Sequence, residues 1–559
     1  MTMTMTGAQA ILDYLNRQGI NTIFGYPGGA IMPLYDALID SPIKHYLCRH
    51  EQGAAFAAMG YARSTNSVGV CVATSGPGAT NLLTSLADAK LDSVPLVVIT
   101  GQVARTSMGT DAFQEVDVLG LSLSISKHSM QVMQPQDLLP CLSRAFEIAS
   151  DGRPGPVLVD VPKDILLGAI PPIPKLSVKN TPDSACTESQ IEQANLLLDS
   201  SQSPVVYVGG GVGMAAAVDV FRHFVARNNL PVVSTLKGLG SADHQHPGYL
   251  GMLGMHGLPA ANLAVQQCDL LIAIGARLDD RVTGKLDEFA PDARLLHIDI
   301  DPAEINKRRR ADVSLLGDLN HILPQLTSIN TKQDWLTRIE QIKQLKSPSY
   351  PAQKTGKAID APAMLRSLSN LSDDDAVITC DVGQHQMWVA QHMLFNHPTC
   401  HLSSGGLGTM GFGLPAAIGA QVANPDKQVI AVCGDGSFMM NVQELATLRR
   451  YPLPVKILLL DNQRLGMVKQ WQELFHDQRY SETDLSDNPE FARLAAAFDI
   501  ASEVISQGEQ VKPALQRMLD HSGPYLLHVQ LNSTDNVWPI VPPNTANHKM
   551  WEKPQCTTN

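Results

Sequence analysis

Eight short apolar runs recur along the chain, and they restrict its fold more than any other feature. Each run is almost continuously apolar, and longer segments with helical periodicity separate one run from the next. The runs are VGVCVA, PLVVIT, PVLVDV, PVVYVG, DLLIAIG, QVIAVC, VKILLL and YLLHVQL. Continuous apolar runs are typical of strands buried on both faces, as in parallel sheets covered by helices. The sequence therefore predicts an α/β protein built from doubly wound parallel sheets.

The length of the chain indicates more than one core. It has 559 residues, whereas a domain usually holds roughly 100–200. Two stretches rich in proline and polar residues lack periodicity and are predicted to be linkers. The predicted order is a first domain at 1–167, a linker at 168–187, a middle domain at 188–346, a linker at 347–362 and a third domain at 363–559.

The first and third predicted domains resemble each other. The stretches 57–81 and 416–441 both run from a helix of small residues through a polar turn into a strand and a glycine-rich turn. Two further strands repeat in the same order, and Gly60 and Gly419 lie 359 residues apart at equivalent positions. Any two doubly wound sheets share some of these features. Three matching stretches in the same order favour a duplicated pair of domains on either side of a third.

Charge, cysteines and hydropathy exclude several classes of protein. The net charge of -12 disfavours nucleic acid as the main partner, because its phosphates would be repelled. Nine scattered cysteines without a CxxC pair favour free thiols in a reducing compartment. The N-terminus does not resemble a secretory or import signal, and no apolar run reaches the ~18 residues of a membrane span. We therefore expect a cytoplasmic protein of bacterial type that does not bind a membrane.

A carboxylate stands between two glycines at the end of one apolar run, in AVCGDGSFMMN. Asp435 follows the strand predicted over 429–433, and parallel sheets bind ligands at such carboxyl ends. Glycine turns and helix N-termini attract phosphates, but a carboxylate repels them unless a divalent cation lies between. A second oxygen ligand is then expected after the next strand, where LLLDN supplies Asp461 and Asn462. The pattern predicts a Mg2+ site that carries a phosphorylated cofactor.

These two motifs resemble the signature of thiamine diphosphate enzymes, in which GDG is followed by a pair of asparagines. Here the first asparagine is replaced by Asp461, a mild departure that keeps Asn462 at the ligand position. The resemblance implies that the side chains of Asp435 and Asn462 and the backbone carbonyl of Arg464 hold Mg2+. It also implies an activating glutamate in the first domain, and RHEQGAAFAAMGYAR supplies Glu51. Without the resemblance, a favourable charge at a helix N-terminus would be the better explanation of Glu51.

The same resemblance assigns a cradle for thiamine diphosphate. DVGQHQMW and SSGGLGTMGFGLPAA match its two segments, and Met410 matches the apolar residue that holds the cofactor bent. Taken alone, Met410 would more simply be a core residue. The expected cofactor contacts besides Glu51 and Met410 are Pro27, Gly28, Gly78, Val382, Gly383, Gln384, His385, Gly408, Gly434, Gly436, Ser437, Leu465, Gly466 and Met467.

Over essentially its whole length the chain resembles the catalytic large subunits of acetohydroxyacid (acetolactate) synthases, and is most like the bacterial biosynthetic isozymes. Among the blocks that carry the resemblance are FGYPGGAIMPLYDAL, SGPGATNLLT, GTDAFQEVD, GRPGPVLVDVPKD, LGMLGMHG, GARLDDRVTGKL and LLLDNQRLGMVKQWQ. This family of transferases decarboxylates pyruvate and joins the two-carbon unit to a second pyruvate or to 2-oxobutanoate. The products, 2-acetolactate and 2-aceto-2-hydroxybutanoate, belong to the first common step of valine, leucine and isoleucine biosynthesis.

The resemblance also implies residues around the keto acids. Arg281 is expected to hold the carboxylate of the second keto acid, which arginine can do with two hydrogen bonds. A salt bridge to Asp279 or Asp280 is the simpler explanation of Arg281. Gln114 and Lys163 are expected beside the active-site channel as further catalytic residues. The apolar wall around the second substrate is expected to include Phe113, Met255, Met467 and Trp471.

The middle domain is expected to bind FAD. Its strands are followed by glycine turns, but a lone glycine turn is weak evidence for a nucleotide. The family binds FAD here, and we expect a structural flavin because the reaction moves no electrons between its substrates. The expected contacts are Arg153, Gly210, Gly211, His256, Gly275, Arg277, Asp299 and Asp318.

Partners and competing functions follow from the same resemblance. In the family, the glutamate and the cradle of one site come from different subunits, so at least a homodimer, or a homotetramer, is expected. A small regulatory subunit is expected as well. Pyruvate oxidase, pyruvate decarboxylase and the FAD-independent catabolic acetolactate synthase are the nearest alternatives. A non-catalytic relative is the alternative from another class, and it should have lost one of Glu51, Asp435 and Asn462.

Overall fold

The computed structural model describes residues 5–171, 186–327, 329, 331–346, 353 and 355–553. These residues form three six-stranded sheets, and every strand in each of the three is parallel to its neighbours. All eight apolar runs form strands of these sheets. The α/β class and the three doubly wound sheets are therefore confirmed. None of the helices in the described ranges has the length and apolar character needed to cross a membrane.

The first sheet has the strand order β3-β2-β4-β5-β7-β6. Its strands, with the short β1 and β8 that pair outside it, are β1 (Met5–Thr6), β2 (Thr22–Gly25), β3 (Lys44–Leu47), β4 (Gly69–Ala73), β5 (Leu96–Gln102), β6 (His128–Gln131), β7 (Pro156–Pro162) and β8 (Ala169–Ile170). The helices are α1 (Gly7–Arg17), α2 (Met32–Leu38), α3 (Glu51–Thr65), α4 (Pro77–Thr80), α5 (Leu83–Leu91), α6 (Val118–Ser122), α7 (Leu138–Ser150) and α8 (Lys163–Leu167).

The middle sheet has the order β11-β10-β9-β12-β13-β14. Its strands are β9 (Pro204–Val208), β10 (Val232–Ser234), β11 (Tyr249–Met252), β12 (Leu270–Ile274), β13 (Arg294–Asp299) and β14 (Val313–Leu316). The helices are α9 (Glu188–Ser200), α10 (Gly211–Met214), α11 (Val218–Arg227), α12 (Pro259–Gln267), α13 (Asp280–Thr283), α14 (Leu319–Ile322) and α15 (Gln333–Lys346). The strand order reverses between β9 and β12, which is where such sheets bind dinucleotides.

The third sheet has the order β16-β15-β17-β18-β20-β19, the same topology as the first sheet. Its strands are β15 (Val377–Cys380), β16 (His401–Ser403), β17 (Val429–Gly434), β18 (Lys456–Asp461), β19 (Ala501–Ile505) and β20 (Tyr525–Gln530). The helices are α16 (Ala361–Leu371), α17 (Gln384–His392), α18 (Gly413–Ala423), α19 (Asp435–Met439), α20 (Leu445–Arg450), α21 (Gly466–Phe475), α22 (Phe491–Ala497) and α23 (Val511–Asp520). The identical strand order supports the duplication predicted from the sequence.

The equivalent helices α3 and α18 pack against each other within one chain. A Cβ atom on Gly60 would lie 2.1 Å from the carbonyl oxygen of Ala416, and one on Gly419 would lie 1.7 Å from that of Ala57. These two contacts are symmetric, because each glycine meets the residue three positions before the other. Small residues thus allow the two backbones to approach closely, and one apolar core extends across both domains.

The predicted domain boundaries stay predictions. Strand β8 lies inside the stretch predicted as the first linker, where it pairs with β1, and α16 begins inside the second. Residues 172–185 and most of 347–354 lie outside the described residues.

Candidate active site

A small cavity lies at the carboxyl end of the third sheet, where the strand order reverses between β15 and β17. Its volume is about 70 Å³, and it is formed by the turns after β15, β17 and β18 together with the start of α21. Of the residues predicted for the cradle and the metal, only Pro27, Gly28 and Gly78 of the first domain and Gly408, which lines the larger cavity described below, lie outside it. The lining includes Val382, Gly383, Gln384, His385, Met410, Gly434, Asp435, Gly436, Ser437, Asn462, Arg464, Leu465, Gly466 and Met467.

Asp435 and Asn462 present two oxygen-bearing side chains to this cavity. Asp435 is 3% exposed, and its Oδ2 accepts a hydrogen bond of 2.9 Å from Asn488 Nδ2. Asn462 Nδ2 donates to Gln384 Oε1 at 2.9 Å, and its Oδ1 accepts from the Arg464 amide at 3.1 Å. Burial and the charge of Asp461 raise the pKa of Asp435. A bound divalent cation would favour the ionised form of this carboxylate. The two side chains offer oxygen atoms, which are the ligands that Mg2+ prefers, so this donor set fits Mg2+.

Asp461, the departure from the family motif, lies beside Asp435 and also accepts hydrogen bonds from other parts of the third domain. Its Oδ2 accepts a 2.8 Å hydrogen bond from His528 Nε2, and its Oδ1 accepts from the Gln463 amide at 2.9 Å. Although burial opposes it, the hydrogen bond from His528 lowers the pKa of Asp461. The Asp461 carboxyl group is thus held by His528 and lies close to that of Asp435, whereas Asn462 lines the cavity.

The turn that carries Met410 is held by a buried carboxylate. Asp381 accepts hydrogen bonds from the Gly411 amide at 2.8 Å and from the Gly413 amide at 3.1 Å. Burial raises the pKa of Asp381 to about 6. Met410 is half-buried and lines both this cavity and a second, larger one. It is therefore not simply a residue of the apolar core.

His385 offers an unused polar atom to the small cavity. Its Nε2 is buried and has no hydrogen-bond partner among the described residues, and burial lowers its pKa to about 3. The imidazole is therefore neutral at neutral pH. An unpaired buried polar atom is costly, which fits a polar group of a cofactor beside it.

Glu51 lies at the start of α3 in the first domain and is 8% exposed. Its Oε2 accepts a 2.9 Å hydrogen bond from Asn81 Nδ2, and a Cβ on Gly78 would lie 3.2 Å from its Oε1. Gly28 packs on Thr74, since a Cβ there would lie 2.4 Å from Thr74 Cγ2. The predicted glycines of this domain therefore leave room beside a fixed carboxyl group.

The other predicted residues of the first domain lie in its loops. Gln114 has a left-handed backbone with φ of 61° and packs against Gly76. Phe113 beside it is 88% exposed, and Lys163 and Pro27 are half-buried. Lys163 begins α8. In the part of the chain that the structure describes, these four residues line neither of the two cavities, and the same is true of Glu51 and Gly78.

The larger cavity, of about 1760 Å³, is lined by residues of all three domains. It includes the turns after β9 and β12, at the point where the middle sheet reverses its strand order. A Cβ on Gly211 would lie 2.7 Å from Gly275 Cα, so the two turns approach as closely as glycine permits. All predicted flavin contacts line it, namely Arg153, Gly210, Gly211, His256, Gly275, Arg277, Asp299 and Asp318.

Charged and unpaired groups in this cavity fit a dinucleotide. Arg153 NH1 lies 2.8 Å from Glu304 Oε1 and 3.0 Å from Asp301 Oδ2. Burial raises the pKa of Asp299 to about 6. His256 Nδ1 is buried without a hydrogen-bond partner among the described residues. A cavity of this size, with glycine turns at the reversal point and polar groups around it, fits FAD.

Of the predicted substrate residues, Arg281, Met255, Met467 and Trp471 line the large cavity, whereas Phe113 does not. Arg281 NH1 lies 3.4 Å from Met255 Sδ, and its guanidinium carbon lies 5.9 Å from the centre of the Trp471 ring. Arg281 also approaches Asp280 at 3.8 Å, but both side chains are largely exposed, so this ion pair is weak. Met467 lines both the small cavity and the large one.

Several residues of the site were not predicted from the sequence. Asn488, which contacts Asp435, lies outside the recognised motifs, and His528, which holds Asp461, stands in the run YLLHVQL without an assigned role. Asn81 appeared in the repeat but had no assigned role, although it bonds to Glu51. The repeat and the block SGPGATNLLT are the sequence signals that contain Asn81.

Family models match the three domains in order. The thiamine pyrophosphate enzyme N-terminal TPP binding domain matches residues 5–121, the central domain matches 191–326, and the C-terminal TPP binding domain matches 381–529. Together they cover most of the chain.

Curated relatives match over nearly the full length. The chain is 57% identical to the acetolactate synthase isozyme 2 large subunit of Escherichia coli over 98% of this chain and 100% of the relative. It is 48% identical to the acetolactate synthase large subunit of Parasynechococcus marenigrum over 98% of this chain and 91% of the relative. It is 45% identical to a probable acetolactate synthase large subunit of Methanocaldococcus jannaschii over 96% of this chain and 94% of the relative.

Proposed function

The chain belongs to the acetolactate synthase large subunits, a family of thiamine diphosphate enzymes, and we propose how its own residues perform that reaction. The family makes 2-acetolactate from pyruvate in branched-chain amino acid biosynthesis. We infer that 2-oxobutanoate is the alternative second substrate. The observation that carries this proposal is the small cavity, which brings Asp435, Asn462 and the cradle together at the reversal point of the third sheet.

Mg2+ is assigned to Asp435, Asn462 and the backbone carbonyl of Arg464. The side chains of the first two are buried and fixed by Asn488 and Gln384, so each arrives with its orientation set. The turn at Gly434 and Gly436 would take the diphosphate, and Met410 would support the thiazolium side. Bound thiamine diphosphate supplies the electron sink that stabilises the charge left when pyruvate loses carbon dioxide.

Glu51 is assigned the activating role. Its carboxyl group is fixed through Oε2 by Asn81, while Gly78 leaves space at Oε1. A carboxyl group held in this way can exchange a proton with the aminopyrimidine ring of the cofactor. Gln114 and Lys163 are assigned to the channel, and Phe113 to its wall, as the resemblance implies.

One active site is proposed to combine two chains. Glu51 lies in the first domain and the metal ligands in the third, and the residues lining the cavity around Asp435 do not include Glu51. The largely exposed Phe113, also predicted for the channel, is explained if a second chain covers it. We therefore propose at least a homodimer, with a homotetramer as the larger alternative.

The second keto acid is proposed to bind between Arg281 and the wall formed by Met255, Met467 and Trp471. Arg281 provides the local cation that an acidic chain needs for an anionic substrate. Its guanidinium stacks near Trp471, which sets the arginine beside the apolar wall.

FAD is proposed to occupy the large cavity and to act structurally. The reversal point, the glycine turns and the unpaired His256 Nδ1 support this assignment. A small regulatory subunit is proposed from the large-subunit designation of the relatives. A cytoplasmic location stays a prediction.

One experiment tests the proposal. The purified chain, with Mg2+, thiamine diphosphate and FAD, is given pyruvate with and without 2-oxobutanoate, and both products are quantified. We expect both acetohydroxy acids, with no peroxide or acetaldehyde. Flavin removal should abolish activity, and a redox-inactive flavin analogue should restore it. Restoration only by a redox-competent flavin would contradict the structural role.

A further inference from the structure

Buried charged side chains from the first and middle domains meet against a loop of the third. Asp88 lies on α5 and Asp92 at its C-terminal end, Arg63 lies on α3, and Lys237 follows β10 of the middle domain. Lys237 Nζ lies 2.6 Å from Asp92 Oδ2, and Arg63 NH1 lies 3.9 Å from the same oxygen. Lys237 Nζ also donates to the carbonyl of Ser403 at 3.1 Å. A single lysine therefore bridges all three domains.

The stem of Lys237 separates the two proposed cofactor sites. A Cβ on Gly210, in the proposed flavin turn, would lie 3.1 Å from Lys237 Cβ. A Cβ on Gly405, in the segment that leads to the thiamine cradle, would lie 2.8 Å from Lys237 Cδ. The lysine is thus packed between a glycine of the flavin site and a glycine of the cradle loop, which we define as residues 403–410.

The cradle loop is held by the same charges. Asp92 accepts hydrogen bonds from the Gly405 amide at 3.0 Å and the Gly406 amide at 2.7 Å. Asp88 Oδ1 accepts from Ser404 Oγ at 2.9 Å, and that hydroxyl accepts from the Thr409 amide at 2.8 Å. The next residue is Met410. A shift of the Asp92 carboxylate would therefore move the loop that positions the apolar support of thiamine diphosphate.

The ion pair that fixes the position of the Asp92 carboxylate is buried and affects its pKa. Asp92 is 3% exposed, and although burial opposes it, the Lys237 and Arg63 cations lower its pKa. Without Lys237, the buried Asp92 carboxylate would keep only the more distant Arg63 cation, and a buried charge that loses its nearest partner is costly. The Asp92 side chain would then change its position, and its hydrogen bonds to the cradle loop would change with it.

We propose that Lys237 is a positioning residue that couples the flavin site to the thiamine diphosphate cradle. This inference rests on the proposed function, since it concerns the two cofactors assigned there. It supplies a physical reason for a flavin that transfers no electrons. A filled flavin site would fix the Gly210 turn, and this turn would fix the Lys237 side chain packed against it. The lysine would in turn fix the Asp92 carboxylate and, through it, the cradle loop that ends in Met410.

The coupling is measurable as a ratio of affinities. If FAD fixes the cradle loop, thiamine diphosphate should bind more tightly when FAD is present, and linkage requires the reciprocal effect. Coupling free energies of this kind typically correspond to factors of about 5–150. A lysine with only a structural role would weaken both cofactors without changing this ratio.

The experiment uses the full-length chain, stripped of cofactors, with Mg2+ present. Calorimetric titration gives the dissociation constant of thiamine diphosphate with and without saturating FAD, and flavin fluorescence quenching gives that of FAD. We expect a ratio of about 10 or more for the wild type. For Lys237→Met it should fall below about 2, while each cofactor still binds alone. Lys237→Arg, which keeps the charge, should restore part of the ratio.

A matched control distinguishes coupling from general damage. Lys456→Met also removes a partly buried lysine, whose Nζ bonds to the carbonyls of His521 and Gly523 away from both cavities. It should retain the wild-type ratio. A wild-type ratio near 1, or an unchanged ratio in Lys237→Met, overturns the inference. Failure of the wild type to bind FAD at all would instead overturn the flavin assignment, and the inference with it.

Discussion

Replacing Gly419 with alanine is predicted to loosen the contact between the first and third domains. On helix propensity alone, alanine in place of glycine should stabilise α18 by about 1 kcal/mol. The structure predicts the opposite sign. A Cβ at this position would lie 1.7 Å from the carbonyl oxygen of Ala57 and 2.6 Å from its carbonyl carbon.

The size of the effect follows from these distances. The two atoms must separate by roughly 1.5 Å or more to regain ordinary contact. The obstructing oxygen belongs to the backbone of buried α3, so no flexible side chain can yield. Overpacking of a core costs about 1–3 kcal/mol, and this rigid contact belongs at the upper end. After subtraction of the propensity gain, a net loss of about 2 kcal/mol is expected.

Thermal unfolding of the cofactor-loaded chain measures this loss. A domain of roughly 150–250 residues loses about 2–4 °C in its unfolding midpoint per kcal/mol. For a loss of about 2 kcal/mol, a midpoint lower by about 4–8 °C is therefore expected. Activity should also fall, because α3 carries Glu51 at its start. Gly523→Ala is the matched control, since a Cβ there would meet nothing closer than 3.4 Å. An unchanged or raised midpoint for Gly419→Ala would refute the packing argument.

Three further predictions concern single substitutions. Asp435→Asn should abolish Mg2+-dependent binding of thiamine diphosphate in calorimetry while FAD is retained, because Asp435 lines only the small cavity; undiminished binding would rule it out as a ligand. Trp471→Leu should lower the preference for 2-oxobutanoate over pyruvate in a competition assay. The decrease should not exceed about 10–200-fold, since one methylene contributes only about 1–3 kcal/mol to discrimination between substrates. An unchanged product ratio would remove Trp471 from the pocket. Burial raises the pKa of Glu444 from 4.5 to about 7, so the folded chain binds more protons than the unfolded chain and loses stability as pH rises between these values. Glu444→Gln should flatten that part of the fall in melting temperature, and a slope equal to that of the wild type would contradict it.

Much of the fold follows from local patterns in the sequence. Continuous apolar runs give parallel strands because both faces of such a sheet are covered, so these runs alone identified β4, β5, β7, β9, β12, β17, β18 and β20. The duplication was visible because three stretches recur in the same order at a nearly constant offset, which is 359 residues between Gly60 and Gly419. The structure adds the reason for Gly60 and Gly419, which is close backbone packing between α3 and α18.

The parts of the site that could not be predicted depend on contacts distant in the sequence. Lys237 meets Asp92 across 145 positions, and Asn488 meets Asp435 across 53. No local pattern marks such pairs, because neither partner stands in a motif that requires the other. The role of Asp461 is similar, since its binding to His528 depends on the register between β18 and β20.

The central claim is that Glu51 of one chain and Asp435 of another complete one active site, and a complementation assay tests it most directly. Glu51→Gln and Asp435→Asn should each be inactive alone. After the two variants are dissociated, mixed in equal amounts and reassembled, half of the dimers are mixed, and each mixed dimer has one intact site of two. About a quarter of wild-type acetolactate formation is therefore predicted. No recovery of activity, in mixtures shown to contain mixed dimers, would contradict the shared site.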